Sequence, residues 1–165
     1  MLTIERAWSA VQEVPDPEIP VLSLCDLGIV REMQFDNETL VVTLTPTYSG
    51  CPATEFIESS VREALLAAGF SSLHMKTQLS PAWTTDWISE AGRQKLRKYG
   101  IAPPEHRAED QASGWQVVRF TPKNPTCPHC GSRNSESLSQ FGATACKALY
   151  RCTDCREPFE YFKPI

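Results

Sequence analysis

The apolar positions along the chain fall into segments of two different periods. Ile4, Ala7, Trp8 and Val11 recur at helical spacing, with Thr3 as the candidate N-cap and Pro15 stopping the helix. Asp16-Pro17-Glu18-Ile19-Pro20 is then a stiff loop, because each proline fixes its own φ and disfavours helix at the residue before it. From Ile29 to Phe35 and from Thr39 to Thr45 the pattern predicts two strands, with Asp36-Asn37-Glu38 as the turn of a hairpin. Leu40, Val42 and Leu44 line one face of the second strand, and Val41, Thr43 and Thr45 the other.

A loop from Thr47 to Gly50 precedes a second helix, predicted to open at Pro52. Its stripe is Ile57, Val61, Ala64, Leu65 and Ala68, with Gly69 as the C′ residue. Leu73, Met75, Thr77 and Leu79 alternate with polar residues as a half-buried strand does. A loop rich in Pro and Trp (Pro81 to Trp87) leads to a helix from about Ser89 to Tyr99, closed by Gly100 and Pro103-Pro104. The order α-β-β-α-β-α predicts an α+β sandwich over residues 1–104, a small mixed α/β domain. Glu105 to Gly114 is polar and aperiodic and is the expected linker. Residues 115–165 form the second expected domain, opening with a short strand from Trp115 to Phe120 and holding a small β module.

Composition changes this picture in one respect. A hydrophobic fraction of 41% and a charged fraction of 22% are ordinary for a globular chain. The longest apolar stretch, Ala64 to Phe70, is far short of the roughly 20 residues that span a bilayer, and the N-terminus shows no secretory signal. The expected location is the cytoplasm, with no membrane partner. Residues 1–122 carry a net −6 and residues 123–165 a net +2. So weak a positive balance argues against nucleic acid, whose binding requires neutralising many phosphates. A zinc-ribbon nucleic-acid binder is therefore a disfavoured alternative.

The seven cysteines alter the picture most. An odd count in a reducing compartment points to metal or reactive thiols rather than a disulfide framework. Four of them form two pairs, Cys127-Pro-His-Cys130 and Cys152-Thr-Asp-Cys155, with 21 residues between. Each pair aims two thiolates at one ion from a tight turn, and two such turns complete a tetrahedral S₄ site of the zinc-ribbon type. Redox dithiols are the alternative reading, and S₄ geometry does not by itself separate zinc from iron. The gap accommodates a hairpin, with Glu136 to Gln140 and Ala148 to Arg151 as its strands. A tail this small buries too little surface to fold alone, so the metal would supply its folding energy. His129, inside the first pair, reads as a spacer, and Cys146 as a small buried apolar residue.

Cys51 is the second candidate for chemistry. Placed before Pro52 it reads as an N-cap, where unpaired N–H groups and the helix dipole favour a thiolate able to take a metal or a cluster iron. A half-buried structural cysteine is the equally simple alternative. Asp16, Asp26 and Thr47 lie in loops that can approach it, although each alone reads as a cap or turn residue.

Three segments carry a resemblance. Asp16-Pro-Glu-Ile-Pro20, Asp26-Leu-Gly-Ile-Val30 and Thr45-Pro-Thr-Tyr-Ser-Gly-Cys51-Pro52 resemble the iron–sulfur cluster assembly domain family, as do Pro81-Ala-Trp-Thr-Thr-Asp-Trp87 and Gly100-Ile-Ala-Pro-Pro104. With Phe141-Gly-Ala-Thr-Ala-Cys-Lys-Ala-Leu-Tyr-Arg-Cys152 and Glu157-Pro-Phe-Glu-Tyr-Phe-Lys163, nearly the whole chain is similar to the PaaD family of the phenylacetyl-CoA epoxidase system, from aerobic phenylacetate degradation. The resemblance implies an accessory or maturation factor, with structural zinc in the ribbon and a transient iron–sulfur cluster or metal at Cys51. It implies the other epoxidase subunits as partners, above all the flavin reductase with its iron–sulfur centre, and is compatible with a homodimer. The catalytic di-iron component itself is not expected: none of His74, His106 and His129 has a Glu three residues earlier, and four long helices do not fit.

Overall fold

The computed structural model describes residues 2–48, 50–105 and 124–164. The expected linker, apart from Glu105, and the expected strand from Trp115 to Phe120 lie outside the described residues. The chain divides into two compact units, the first running to Lys95 and the second covering Leu96–Pro164.

In the first unit, α1 (Ile4–Val11) begins where the Thr3 hydroxyl accepts the Arg6 N–H and buries Ala7 and Val11. The hairpin of β1 (Val30–Asp36) and β2 (Thr39–Leu44) closes through Asn37, whose positive φ of 54 suits the tight turn. A bulge between Val30 and Glu32 interrupts its ladder. The helix α2 (Thr54–Ala67) then carries the chain back across the sheet, so that β3 (Leu73–Thr77) pairs parallel to β2. A parallel neighbour requires such a crossover. Strand order is β1-β2-β3. Ile57, Val61 and Leu65 form the buried stripe of α2, and Leu40, Val42 and Leu44 the buried row of β2.

The core is completed by loops. Residues 14–29 fold back on themselves, with Val14, Ile19, Leu22, Leu24, Leu27 and Ile29 all buried. Hydrogen bonds from Asp16 N to Leu22 O (2.8 Å) and from Leu24 N to Val14 O (2.9 Å) lace this segment together. The Trp-rich loop seals it: Trp83 donates its indole N–H to Leu27 O at 2.8 Å, and Arg31 lies 3.6 Å from the Trp87 ring centre. A single 3₁₀ turn (Thr85–Trp87) leads to α3 (Glu90–Tyr99), the helix in which the division between the units falls.

The second unit is a four-stranded sheet of order β4-β7-β6-β5, made of β4 (Ile101–Ala102), β5 (Ser135–Ser139), β6 (Lys147–Cys152) and β7 (Pro158–Phe162). The β5–β6 hairpin expected from the sequence is present; β4 and β7 are additions to it. Ala102, Cys127, Cys152 and Phe159 form its core, with Tyr150, Cys155 and Tyr161 packed against them. Mixed α/β structure followed by a cysteine-bearing β ribbon is the fold class anticipated above.

Candidate metal centre

Two similar turns hold the paired cysteines. In the first, Gly131 N donates to Cys127 O (2.9 Å) and Cys127 N to Ser132 O (2.8 Å); in the second, Cys152 N donates to Glu157 O (3.0 Å). The residue after the second cysteine of each pair is left-handed, Gly131 at φ +78 and Arg156 at φ +64. That kink turns successive N–H groups toward the sulfurs: Ser132 N–H to Cys130, Asp154 and Cys155 N–H to Cys152, and Glu157 N–H to Cys155.

The four Sγ atoms lie within 4.8 Å of one another, with Cys127···Cys155 at 3.8 Å and Cys130···Cys152 at 3.5 Å. A tetrahedron of sulfurs at about 2.3 Å from a zinc ion has edges of about 3.8 Å, so the spacing fits a metal of this size. Electrostatics points the same way. The Cys155 and Asp154 N–H groups bring the Cys152 thiol down to about 7. Against the Glu157 N–H, burial and the three neighbouring sulfurs push Cys155 up to about 12. Four thiolates at this separation repel, and a central cation removes the conflict.

The other thiols stand apart from this group. Cys146 is buried with its sulfur 3.0 Å from the Thr144 hydroxyl. Burial and the neighbouring Asp26 push the Cys25 thiol up to about 11. His129 packs its imidazole toward Gly100.

The Cys51 neighbourhood differs from the sequence expectation. The helix starts at Thr54 with Ala53 as N-cap, so Cys51 is not the cap and Pro52 is not the first helical residue. A turn from Tyr48 to Cys51, with Gly50 at φ +83, fixes the chain direction first, and Thr54 then binds Cys51 O through both its N–H (3.1 Å) and its hydroxyl (2.8 Å). Cys51 itself is buried, 8% exposed. Asp16 caps the stiff loop, accepting from Glu18 N (2.9 Å) and Ile19 N (2.8 Å). Asp26 joins Ser23 N (3.1 Å), the Ser89 hydroxyl (3.1 Å) and Lys95 Nζ (2.6 Å), pinning the start of α3 to the 23–28 turn. Burial opposes its charge, but those partners prevail and hold its carboxyl below the ordinary range. Thr47 is half-buried in the loop after β2. Among the described residues, only the four ribbon cysteines form a group of three or more His, Cys, Asp or Glu close enough for one ion; Cys51, Asp16 and Asp26 do not.

One further atom carries no signature in the sequence. The Thr45 hydroxyl is buried with no hydrogen-bond partner, on a residue 1% exposed that opens the segment leading to Cys51. Such orphans are rare enough to require a cause.

Comparison with known proteins gives this geometry a context. A family model described as the PaaD zinc beta ribbon domain matches residues 115–163, and one described as an iron–sulfur cluster assembly protein matches residues 4–69. The chain is 47% identical over 162 residues to the putative 1,2-phenylacetyl-CoA epoxidase PaaD component of Escherichia coli (strain K12), covering 98% of this chain and 93% of that one. The chain belongs to the PaaD family. Its first unit has relatives outside that family. An Fe-S protein maturation auxiliary factor of Porphyromonas gingivalis is 33% identical over 96 residues, 57% of this chain and 90% of the relative. Two solved structures share the fold: a domain of unknown function from Bacillus anthracis (25% identical, TM-score 0.51, 56% of this chain and 89% of that one) and a conserved hypothetical protein from Thermotoga maritima (29%, 0.50, 58% and 94%). The PaaD family thus joins an iron–sulfur assembly domain to a zinc ribbon in one chain.

Proposed function

We propose that this protein is an accessory maturation factor of the phenylacetyl-CoA 1,2-epoxidase system, assisting iron–sulfur cluster assembly or insertion into the flavin reductase component. The observation that carries the proposal is the 47% identity to an epoxidase PaaD component, sustained through both the assembly domain and the ribbon. The relationship to a maturation auxiliary factor supports the assembly role of the first unit. In this reading Cys127, Cys130, Cys152 and Cys155 hold structural zinc, as their spacing and N–H donors favour.

Cys51 is the proposed contact for a transient cluster, with Thr45, Thr47, Asp16 and Asp26 shaping the loops around that segment. A buried thiol and an unpaired hydroxyl on one short segment support the assignment, since a bound ligand would use both. Two measurements test the proposal. Metal and sulfide are determined in anaerobically isolated wild type and Cys51→Ser; both retain about one zinc, and any iron and sulfide disappear from the variant. Reductase iron is then measured in cells lacking this protein or carrying Cys51→Ser, and is expected to fall in both. Unchanged reductase iron in the deletion rejects the maturation role in favour of a structural accessory component.

A further inference from the structure

The two cysteine turns are joined by a polar link that none of the ligands supplies. Asp154 lies inside the second pair, between Thr153 and Cys155, and its Oδ2 accepts both the Ser132 hydroxyl and the Asn134 side-chain amide, the latter at 3.0 Å. Ser132 and Asn134 follow the first pair, and Asn134 N donates to Ser132 Oγ at 3.0 Å. Asn134 O receives Thr153 N (2.8 Å) and the Thr153 hydroxyl (3.0 Å), which clamps the same two segments from the other side.

The link closes a circuit around two ligands. The backbone N–H of Asp154 donates to Cys152, and the backbone N–H of Ser132 donates to Cys130. Those two sulfurs are 3.5 Å apart. The side-chain bond between Asp154 and Ser132 therefore fixes, relative to each other, the two residues whose N–H groups orient sulfurs from opposite turns. An S₄ ion can leave only if the turns separate enough to free a thiolate. A bond spanning the turns opposes that separation while touching no metal.

We propose that Asp154, with Ser132 and Asn134, is a latch between the two cysteine turns that sets how slowly the ribbon releases its metal. The proposal rests on the reading that the four sulfurs bind a metal ion. Asp154 is a positioning residue, and its carboxylate acts through the two turns it ties.

The test uses the full-length, zinc-loaded protein and follows zinc transfer to an excess of a chromogenic chelator. Wild type is read first: if it carries no zinc, the metal reading fails and the latch falls with it. With zinc present, Asp154→Ala is expected to release it about tenfold faster, the size usual when a residue supporting a ligand is removed. Ser132→Ala should accelerate release in the same direction, and the double variant should be no faster than Asp154→Ala, since both remove one bond. Asp154→Asn retains an oxygen where both donors converge and should stay within about threefold of wild type.

Glu136→Ala removes the Arg151 ion pair beside the second turn and controls for general weakening of the sheet; it should leave the rate unchanged. Should Asp154→Ala fail to fold, Ser132→Ala against Glu136→Ala decides. Release from Asp154→Ala within about twofold of wild type overturns the latch while leaving the metal site standing. So do independent, multiplying effects of the two single variants, or Asp154→Asn releasing as fast as Asp154→Ala.

Discussion

At the scale of single residues, the two groups worth perturbing are a hydroxyl without a partner and a carboxylate with too many. Leaving the Thr45 hydroxyl buried and unbonded costs about 1–3 kcal/mol. Thr45→Val keeps the shape and removes the polar atom, so it should raise stability by about 1 kcal/mol in urea unfolding while lowering the iron delivered to the reductase. A variant that is both more stable and fully active would show that Thr45 serves only the fold. Asp26 titrates below its ordinary value of 3.8, so its bond network stabilises the fold above that pH and the contribution vanishes as pH falls through the depressed value. Lys95 is half exposed, which limits its share to about 1 kcal/mol. Lys95→Met should therefore destabilise by about that amount at neutral pH and by nothing once Asp26 is protonated, as paired urea titrations would register. Of the residues singled out in the sequence, the ribbon cysteines were legible because their chemistry dictates their spacing. The orphan Thr45 hydroxyl was not, because burial is a tertiary property that no local pattern encodes.

At the scale of elements, the Trp-rich loop is locked onto the turn before β1. Gly28 sits at φ +69, and a Cβ there would come within 2.8 Å of both Trp87 Cβ and Trp87 O. Gly50, at φ +83, has open space around the same position. Gly28→Ala should thus cost about 2 kcal/mol or more, and Gly50→Ala about 1 kcal/mol from the left-handed backbone alone. Denaturant melts followed by tryptophan fluorescence would separate the two, since the first also displaces Trp87. Helices and the first hairpin were legible from periodicity, and Thr3 from its capping chemistry. The start of α2 was not: Pro52 suits a first helical position, but the Gly50 turn and the double bond from Thr54 to Cys51 O delay the helix to Thr54. The strands β4 and β7 escaped notice for different reasons. One has two residues, too few for any period, and the other opens on a proline that reads as a break.

At the scale of the whole molecule, two units with separate cores imply two responses to metal loss. The ribbon core is built partly from its own ligands, Cys127 and Cys152 among them, whereas the first unit relies on an apolar interior. A strong chelator at neutral pH should abolish amide hydrogen-exchange protection in β5, β6 and β7 and leave that of α2 and β2 in place, because metal affinity in so small a module is folding energy. Simultaneous loss in both units would contradict this independence.

The two-residue strand β4 has a consequence for where the ribbon can be cut. It borders β7 through Ile101 and Ala102, opposite Glu160 and Tyr161, and Ala102 shares the interior with the cysteines. A fragment beginning at residue 115, where the ribbon family match begins, would leave that margin of β7 bare, with amide and carbonyl groups free to recruit a neighbouring chain. The short strand acts as a selvage, finishing a border that would otherwise fray into aggregates.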